Sequence, residues 1–290
     1  METQLINRLT IIGVGLIGGS LARALKKAHA VGQVTGYGRN AQQLQKALDL
    51  GVIDRCETDI AAAVRDADVV VLAVPVGKTR DVLQSLKPHI NSKTIITDVG
   101  SSKGAVVQAA RQVFGDALEN FVPGHPIAGT EKSGVEASFA ELFQKRRVLL
   151  TPLENTRKEA LHTIRRMWQE TGAVVEQTSV AHHDDVLAAT SHLPHMLAFA
   201  LVDTLATMDD KIDIFRFAAG GFRDFTRIAS SDPQMWHDIC VTNDQSIVAM
   251  LDLFMADLER LRDAIKAGDS DYLLQVFTRA KKARDQFSME

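Results

Sequence analysis

Hydrophobic and polar positions change their period midway along the chain. In the first half, short runs rich in β-branched residues alternate with longer stretches of helical spacing. Strands are expected over residues 9–12, 33–37, 69–75, 94–99, 121–124 and 148–152, with 173–177 the last of them. Helices are expected over 16–28, 41–50, 78–86, 103–114 and 157–171. The unbroken apolar run VVVLAV at 69–74 suits a strand buried on both faces, as in a parallel sheet covered by helices. Such alternation predicts a doubly wound, Rossmann-like α/β domain over residues 1–179. Past residue 180 the strand pattern stops. Apolar residues recur at helical spacing over 183–207, 235–265 and 269–287, so residues 180–290 are expected to form an all-helical domain. Its stripe of Ile247, Met250, Leu251, Phe254, Leu258 and Leu261 is broader than one short bundle buries, which predicts a homodimer through this half. A self-contained monomeric bundle is the alternative.

Composition changes this picture little. At 290 residues, 46% hydrophobic and 24% charged, the chain is ordinary globular protein with room for two domains. Its 33 basic and 36 acidic residues leave a net charge of −3, so no overall field favours nucleic acid or an anionic membrane as partner. Cys56 and Cys240 stand far apart, without metal-ligand spacing, which suits a reduced, cytoplasmic setting. The apolar stretch 10–22 has only Arg8 as a basic residue ahead of it and no cleavage pattern behind it, so it does not read as a signal segment. No run of about 18 apolar residues suggests a membrane span.

The glycines of that stretch have a better use. Gly13-Val14-Gly15-Leu16-Ile17-Gly18 falls where the first strand gives way to the first helix. Gly13 suits the tight turn, Gly15 the close approach of a pyrophosphate, and Gly18 the packing of helix on strand. The phosphates then meet the positive helix end, beside Leu16 and Ile17. Val74 and Pro75, at the end of the 69–75 run, are expected to border the same crevice. At the end of the second strand, where an NAD enzyme carries Asp or Glu, the sequence reads Gly36-Tyr37-Gly38-Arg39-Asn40. Without a carboxylate at 38, and with a guanidinium at 39, the reading favours NADP over NAD. Arg39 as a plain solvated residue, with either cofactor accepted, is the alternative.

Candidate chemistry begins at His125, between Gly124 and Pro126 at a strand end. A rigidly held imidazole that titrates near neutrality suits the removal of an alcohol proton as hydride leaves the same carbon. In Asp98-Val99-Gly100-Ser101-Ser102-Lys103, Ser101 is placed either to bond the cofactor amide and the histidine or substrate, or simply to cap a helix. The helical half concentrates polar residues at His182, His183, Asp184 and Asp185, then at Ser191-His192-Leu193-Pro194-His195. No cysteine accompanies them and hydride transfer needs no metal, so no metal site is expected. Farther on, Arg223 and Arg227 lie in a glycine-rich, aromatic segment, where a guanidinium can grip a carboxylate with two hydrogen bonds.

GVGLIGGSLA, DVGSSK, GHPIAGTE, HHDDVLAATSHLPH and GGFRDFTRIASSDPQMW, in this order and spacing, resemble the prephenate/arogenate (cyclohexadienyl) dehydrogenase family over essentially the whole chain. The resemblance implies oxidative decarboxylation of a cyclohexadienyl carboxylate, with hydride passing to NAD(P), in tyrosine biosynthesis. It also implies that His125 deprotonates the ring hydroxyl with Ser101 beside it, and that Arg227 binds a substrate carboxylate. His195, Thr130, Glu131, Asp224 and Trp236 match positions that line or close the pocket. Helical-domain dimers are a family feature too, and no segment is large enough for a fused chorismate mutase. Prephenate and arogenate are both open, since no motif supplies a counter-charge unique to the amine. Two rivals remain. A β-hydroxyacid-type dehydrogenase would want a catalytic lysine in the second half, yet Lys211, Lys266, Lys281 and Lys282 sit in plain charged contexts. A non-catalytic nicotinamide-sensing dimer would have no need of His125, Ser101 and Arg227 together.

Overall fold

The computed structural model describes residues 4–130, 132–208 and 211–287. Its first strands are β1 (Ile6–Ile12), β2 (Val31–Tyr37), β3 (Arg55–Glu57), β4 (Val69–Leu72), β5 (Ile95–Asp98) and β6 (Phe121–Val122). They pair in parallel in the order β3-β2-β1-β4-β5-β6. This is the doubly wound order, whose winding reverses between β1 and β4.

Every residue of β4 is buried, and successive side chains enter opposite cores. Val69 and Val71 pack with Leu21 and Leu25 of α1 (Leu16–Lys27), Leu44 of α2 (Ala41–Asp49) and Trp168 of α6 (Lys158–Glu170). Val70 and Leu72 pack with Val64 of α3 (Ile60–Val64), Leu83 of α4 (Thr79–Leu86) and Val106 of α5 (Lys103–Phe114). Each such side chain removed from water contributes about 1.5–3 kcal/mol. The sequence pattern gives no sign of β3 or α3, which at three and five residues are too short to show a period.

Residues 121–124 are not one strand. Pro123 has no N–H for the ladder, so β6 stops at Val122 and β7 (Gly124–Pro126) turns into a second sheet. There β7 pairs antiparallel with β8 (Arg147–Leu150), and β8 pairs in parallel with β9 (Val174–Gln177). The strands expected over 148–152 and 173–177 therefore build a separate three-stranded sheet and do not widen the first.

Helices follow. Val180–Ala206 runs as α7 (Val180–Leu187), a π-helical turn at Ala188–His192, and α8 (Leu193–Ala206). Pro194 cannot bond back four residues, and the widened turn absorbs the missing donor. By length and composition alone this stretch is long and apolar enough to cross a membrane, contrary to the expectation that none would be. Yet His183, Asp184 and His192 along it are buried within their own unit. Then come α9 (Lys211–Arg216), α10 (Gly220–Thr226), α11 (Pro233–Thr242), α12 (Asp244–Ala267) and α13 (Ser270–Phe287). The single helix expected over 235–265 is two, because Asn243 leaves helical geometry at φ −123, ψ 35. Contacts divide the chain into two compact units, Met1–Asp244 and Gln245–Glu290.

Candidate active site

At the reversal point of the large sheet, β1 runs into the glycine turn. Gly13 holds φ +93, and a Cβ there would lie 2.3 Å from the Ala73 carbonyl oxygen. A Cβ on Gly18 would meet the Gly13 oxygen at 2.4 Å and Ile11 Cγ2 at 2.8 Å, so α1 packs against β1 only because that residue is glycine. Above Gly15 the space is open, with nothing within 4 Å of a Cβ. Gly15 is the N-cap of α1, and no side chain caps that helix. The first-turn N–H groups, including those of Leu16 and Ile17, thus sit at an uncapped positive helix end, which suits a pyrophosphate. The loops after β1, β4 and β5 touch in turn: Val74 approaches Gly13, and Val76 approaches Gly100. Pro75, between those two valines, is exposed. At the end of β2, Arg39 is exposed, while Asn40 spends its side chain accepting from the N–H groups of Gln42 and Gln43.

His125 stands in β7, three residues past the end of β6, and is 9% exposed. The peptide units around its neighbour Gly124 are clamped on both sides. Asp98 Oδ1 accepts the Gly124 N–H at 3.1 Å, and Lys103 Nζ donates to the Gly124 oxygen at 2.7 Å. Lys103 and Asp98 form an ion pair with side chains 0% and 2% exposed. Burial pushes the Lys103 pKa down, against the opposing pull of Asp98 and Asp184.

On its other side His125 joins a polar line into the helices. Its Nδ1 is 2.9 Å from His183 Nε2, and His183 Nδ1 is 2.8 Å from Asp184 Oδ1. Asp184 also caps α5, accepting the N–H groups of Lys103 and Gly104 at 2.8 Å each. Burial opposes its charge, but the bonds from His183, Gly104 and Lys103 outweigh that and hold the carboxyl below its ordinary range. Asn243 Nδ2 donates to the Asp184 backbone oxygen at 3.0 Å and lies 3.2 Å from His192 Nδ1. His192 meets Trp236 edge-on, with centroids 6.1 Å apart, and His195 stacks on the same indole at 3.8 Å. Arg227 is close enough to His195 for its charge to be felt there. Burial lowers all four histidines from 6.5. His125 falls well below it, with His183, Lys103 and His192 adding to the effect, and His192 falls to about 4.

His125, His195 and Trp236 thus belong to one connected cluster, with exposed Arg227 near enough to His195 to act on its charge. Ser101 is half-buried two residues before Lys103, and it does not cap α5. Ser102 holds that position, with its Oγ accepting from Thr242 Oγ1 at 3.0 Å. Thr130 is exposed, its Oγ1 accepting the Lys132 N–H, and Asp224 is exposed on α10. Neither makes a hydrogen bond or ion pair to the cluster among the described residues. Glu131 lies outside the described residues. Asp98, Lys103 and Asn243 escape a reading of the sequence as site residues, and His183, Asp184 and His192 show in it only as a polar concentration without a role. One signal was there: Lys103 opens a helix, where the dipole disfavours a cation, so it needs a compensating acid. Among the described residues, no group of three or more His, Cys, Asp or Glu side chains is arranged to hold a metal ion.

Two family signatures cover nearly the whole chain. One, described as prephenate dehydrogenase, nucleotide-binding domain, matches residues 21–177, and the other, prephenate dehydrogenase, dimerization domain, matches 179–279. The cyclohexadienyl dehydrogenase of Zymomonas mobilis is 42% identical over 95% of this chain and 94% of its own. The prephenate dehydrogenase of Bacillus subtilis is 38% identical over 97% of this chain and 76% of its own. A crystal structure of prephenate dehydrogenase from A. aeolicus in complex with hydroxyphenyl propionate and NAD+ matches with a TM-score of 0.91 and 38% identity, over 99% of both chains.

Proposed function

Given that this chain belongs to the prephenate dehydrogenase family, we propose how its own residues carry the family's reaction. The protein is a nicotinamide-dependent dehydrogenase of tyrosine biosynthesis, which oxidatively decarboxylates prephenate and/or arogenate. When bound, the dinucleotide takes the hydride from the hydroxyl-bearing ring carbon. Gly13, Gly15, Leu16, Ile17 and Gly18 would hold its phosphates, with Val74, Pro75 and Ser101 alongside and Arg39 at the far ribose.

The chain itself must grip the substrate and remove one proton. His125 is the base: it accepts the ring hydroxyl's proton, while the bond to the departing carboxylate supplies the electron pair that completes the aromatic ring. Burial keeps its imidazole neutral at pH 7, so the acid limb of the rate falls below pH 6.5. Arg227 takes a substrate carboxylate with two charge-assisted bonds, beside the His195–Trp236 stack. Ser101, Thr130, Glu131 and Asp224 are assigned to the pocket by the family pattern of the sequence alone. The observation that carries this reading is the unbroken line of contacts from His125 to the Trp236–His195 pair, on the same unit as an uncapped, glycine-built helix end.

The cofactor is NADP in preference to NAD, because Gly38 offers no carboxylate to repel a 2′-phosphate and exposed Arg39 offers a partner for it. Residues 1–179 serve the cofactor; residues 180–290 serve substrate and dimer contacts, a boundary supported by the meeting of the two family signatures between 177 and 179. Exposed Leu253, Met255, Leu258, Ile265, Leu274 and Phe277 on α12 and α13 supply an apolar surface for a second copy of the chain. Both cysteines are unpaired, in keeping with a reducing cytoplasm.

The test is a four-way rate comparison, prephenate and arogenate each with NADP+ and NAD+. Turnover of at least one substrate is expected, with higher kcat/KM for NADP+ and an advantage that shrinks in Arg39→Ala. Cofactor binding without turnover of either substrate would favour a sensing role, and equal kcat/KM for both cofactors would overturn the NADP assignment.

A further inference from the structure

The cluster of His183 and Asp184 is fully occupied by the protein itself, yet the reaction as derived does not use it. A carboxylate only accepts hydrogen bonds. Asp184 Oδ1 faces His183 Nδ1 at 2.8 Å, so that nitrogen carries the proton. In a neutral imidazole the other nitrogen then only accepts. His183 Nε2 faces His125 Nδ1 at 2.9 Å, so His125 must donate there, which places its lone pair on Nε2. No described residue hydrogen-bonds His125 Nε2. We propose that Asp184 and His183 are positioning residues that lock His125 in the tautomer whose Nε2 accepts the substrate's hydroxyl proton. This rests on His125 being the base.

Several features fit that role and not simple packing. His183 is fully buried, so it reaches the chemistry only through His125. Asp184 is fixed at the start of α5 by two backbone N–H groups and by the Asn243 bond to its own carbonyl. The charged and titratable groups facing the pair are Lys103, Asp98 and His192; Lys103 and His192 lie close enough to His125 to oppose a second positive charge. When His125 takes the proton, its Nδ1–H bond to His183, backed by Asp184, spreads the new charge toward a carboxylate. His182, next in sequence, is exposed and takes no part.

Asp184→Asn separates this role from a structural one. Its amide must place the NH2 either toward His183 Nδ1 and the Lys103 N–H, which share Asp184 Oδ1, or toward the Gly104 N–H on Oδ2. Either way His183 loses the carboxylate charge behind it, and with the NH2 on His183 Nδ1 the His125 proton moves to Nε2, removing the acceptor. Two readouts on the full-length enzyme decide: nitrogen NMR of ring-15N-labelled histidines, and kcat. The expected result is a His125 proton on Nδ1 in the native protein, with kcat lowered about 10²–10⁴-fold in Asp184→Asn and KM little changed. Since Asp184 also caps a helix, His183→Gln and His183→Leu form a second pair. Gln keeps an oxygen to accept from His125 and should retain at least tenfold more kcat than Leu. A His125 proton on Nε2 in the native protein, or equal kcat in the two His183 variants, would overturn the positioning role. Full activity in His125→Asn would instead overturn the base assignment beneath it.

Discussion

At the scale of single residues, His125 and Arg227 are assigned opposite kinds of work, and their substitutions should separate. A guanidinium on a carboxylate holds substrate and transition state alike, so its loss weakens binding more than chemistry. Charge-assisted hydrogen bonds contribute about 1.5–3 kcal/mol. Arg227→Ala should therefore raise KM some ten- to a hundredfold with kcat within a few fold, read from steady-state kinetics. An unchanged KM would remove Arg227 from substrate binding. Not all of the site was legible at this scale. The glycine turn was, since Gly13 and Gly18 answer to steric demands that any close strand–helix turn makes. His125 stood out through its rigid neighbours. Lys103 and Asn243 did not, and His183 showed only within a polar concentration, because their meaning lies in burial and pairing: Lys103 is one more lysine in a string of letters until Asp98 and the Gly124 oxygen surround it.

Among the elements, the helical stretch from α7 to α8 carries most of the polar core. His183, His192 and His195 lie along it, and His125 faces it from β7. Each has a folded-state pKa below 6.5, so as pH falls the unfolded chain takes up protons first. Stability is full above about pH 6.5 and is lost toward the folded values, about 4 for His192. Each such proton adds at most about 1.4 kcal/mol per pH unit, and less for half-exposed His195. Urea midpoints measured between pH 7.5 and 5 should fall with pH in the native protein, and less so in His192→Asn. Midpoints independent of pH over that range would contradict neutral burial of these rings. The same element shows why boundaries were harder to see than existence. A 3.6-residue period announces the helix but not the π-helical turn that Pro194 imposes, nor the break at Asn243 set by its bonds to Asp184 and His192.

For the whole molecule, the large sheet was legible in all but its three-residue edge strand β3, because β4 is apolar at every position and its two faces feed two cores. The second sheet was not, since Pro123 redirects the chain through a tertiary pairing that no local pattern specifies. That redirection puts His125 on β7, beyond the end of the parallel sheet and against the helices, and this placement makes deprotonation by a buried neutral imidazole the central claim. The most direct measurement is kcat of His125→Asn at saturating substrate and cofactor, with substrate Kd measured alongside by titration. Loss of a general base predicts kcat down about 10²–10⁴-fold with Kd within a few fold of the native value. Turnover within a few fold of native would contradict the account.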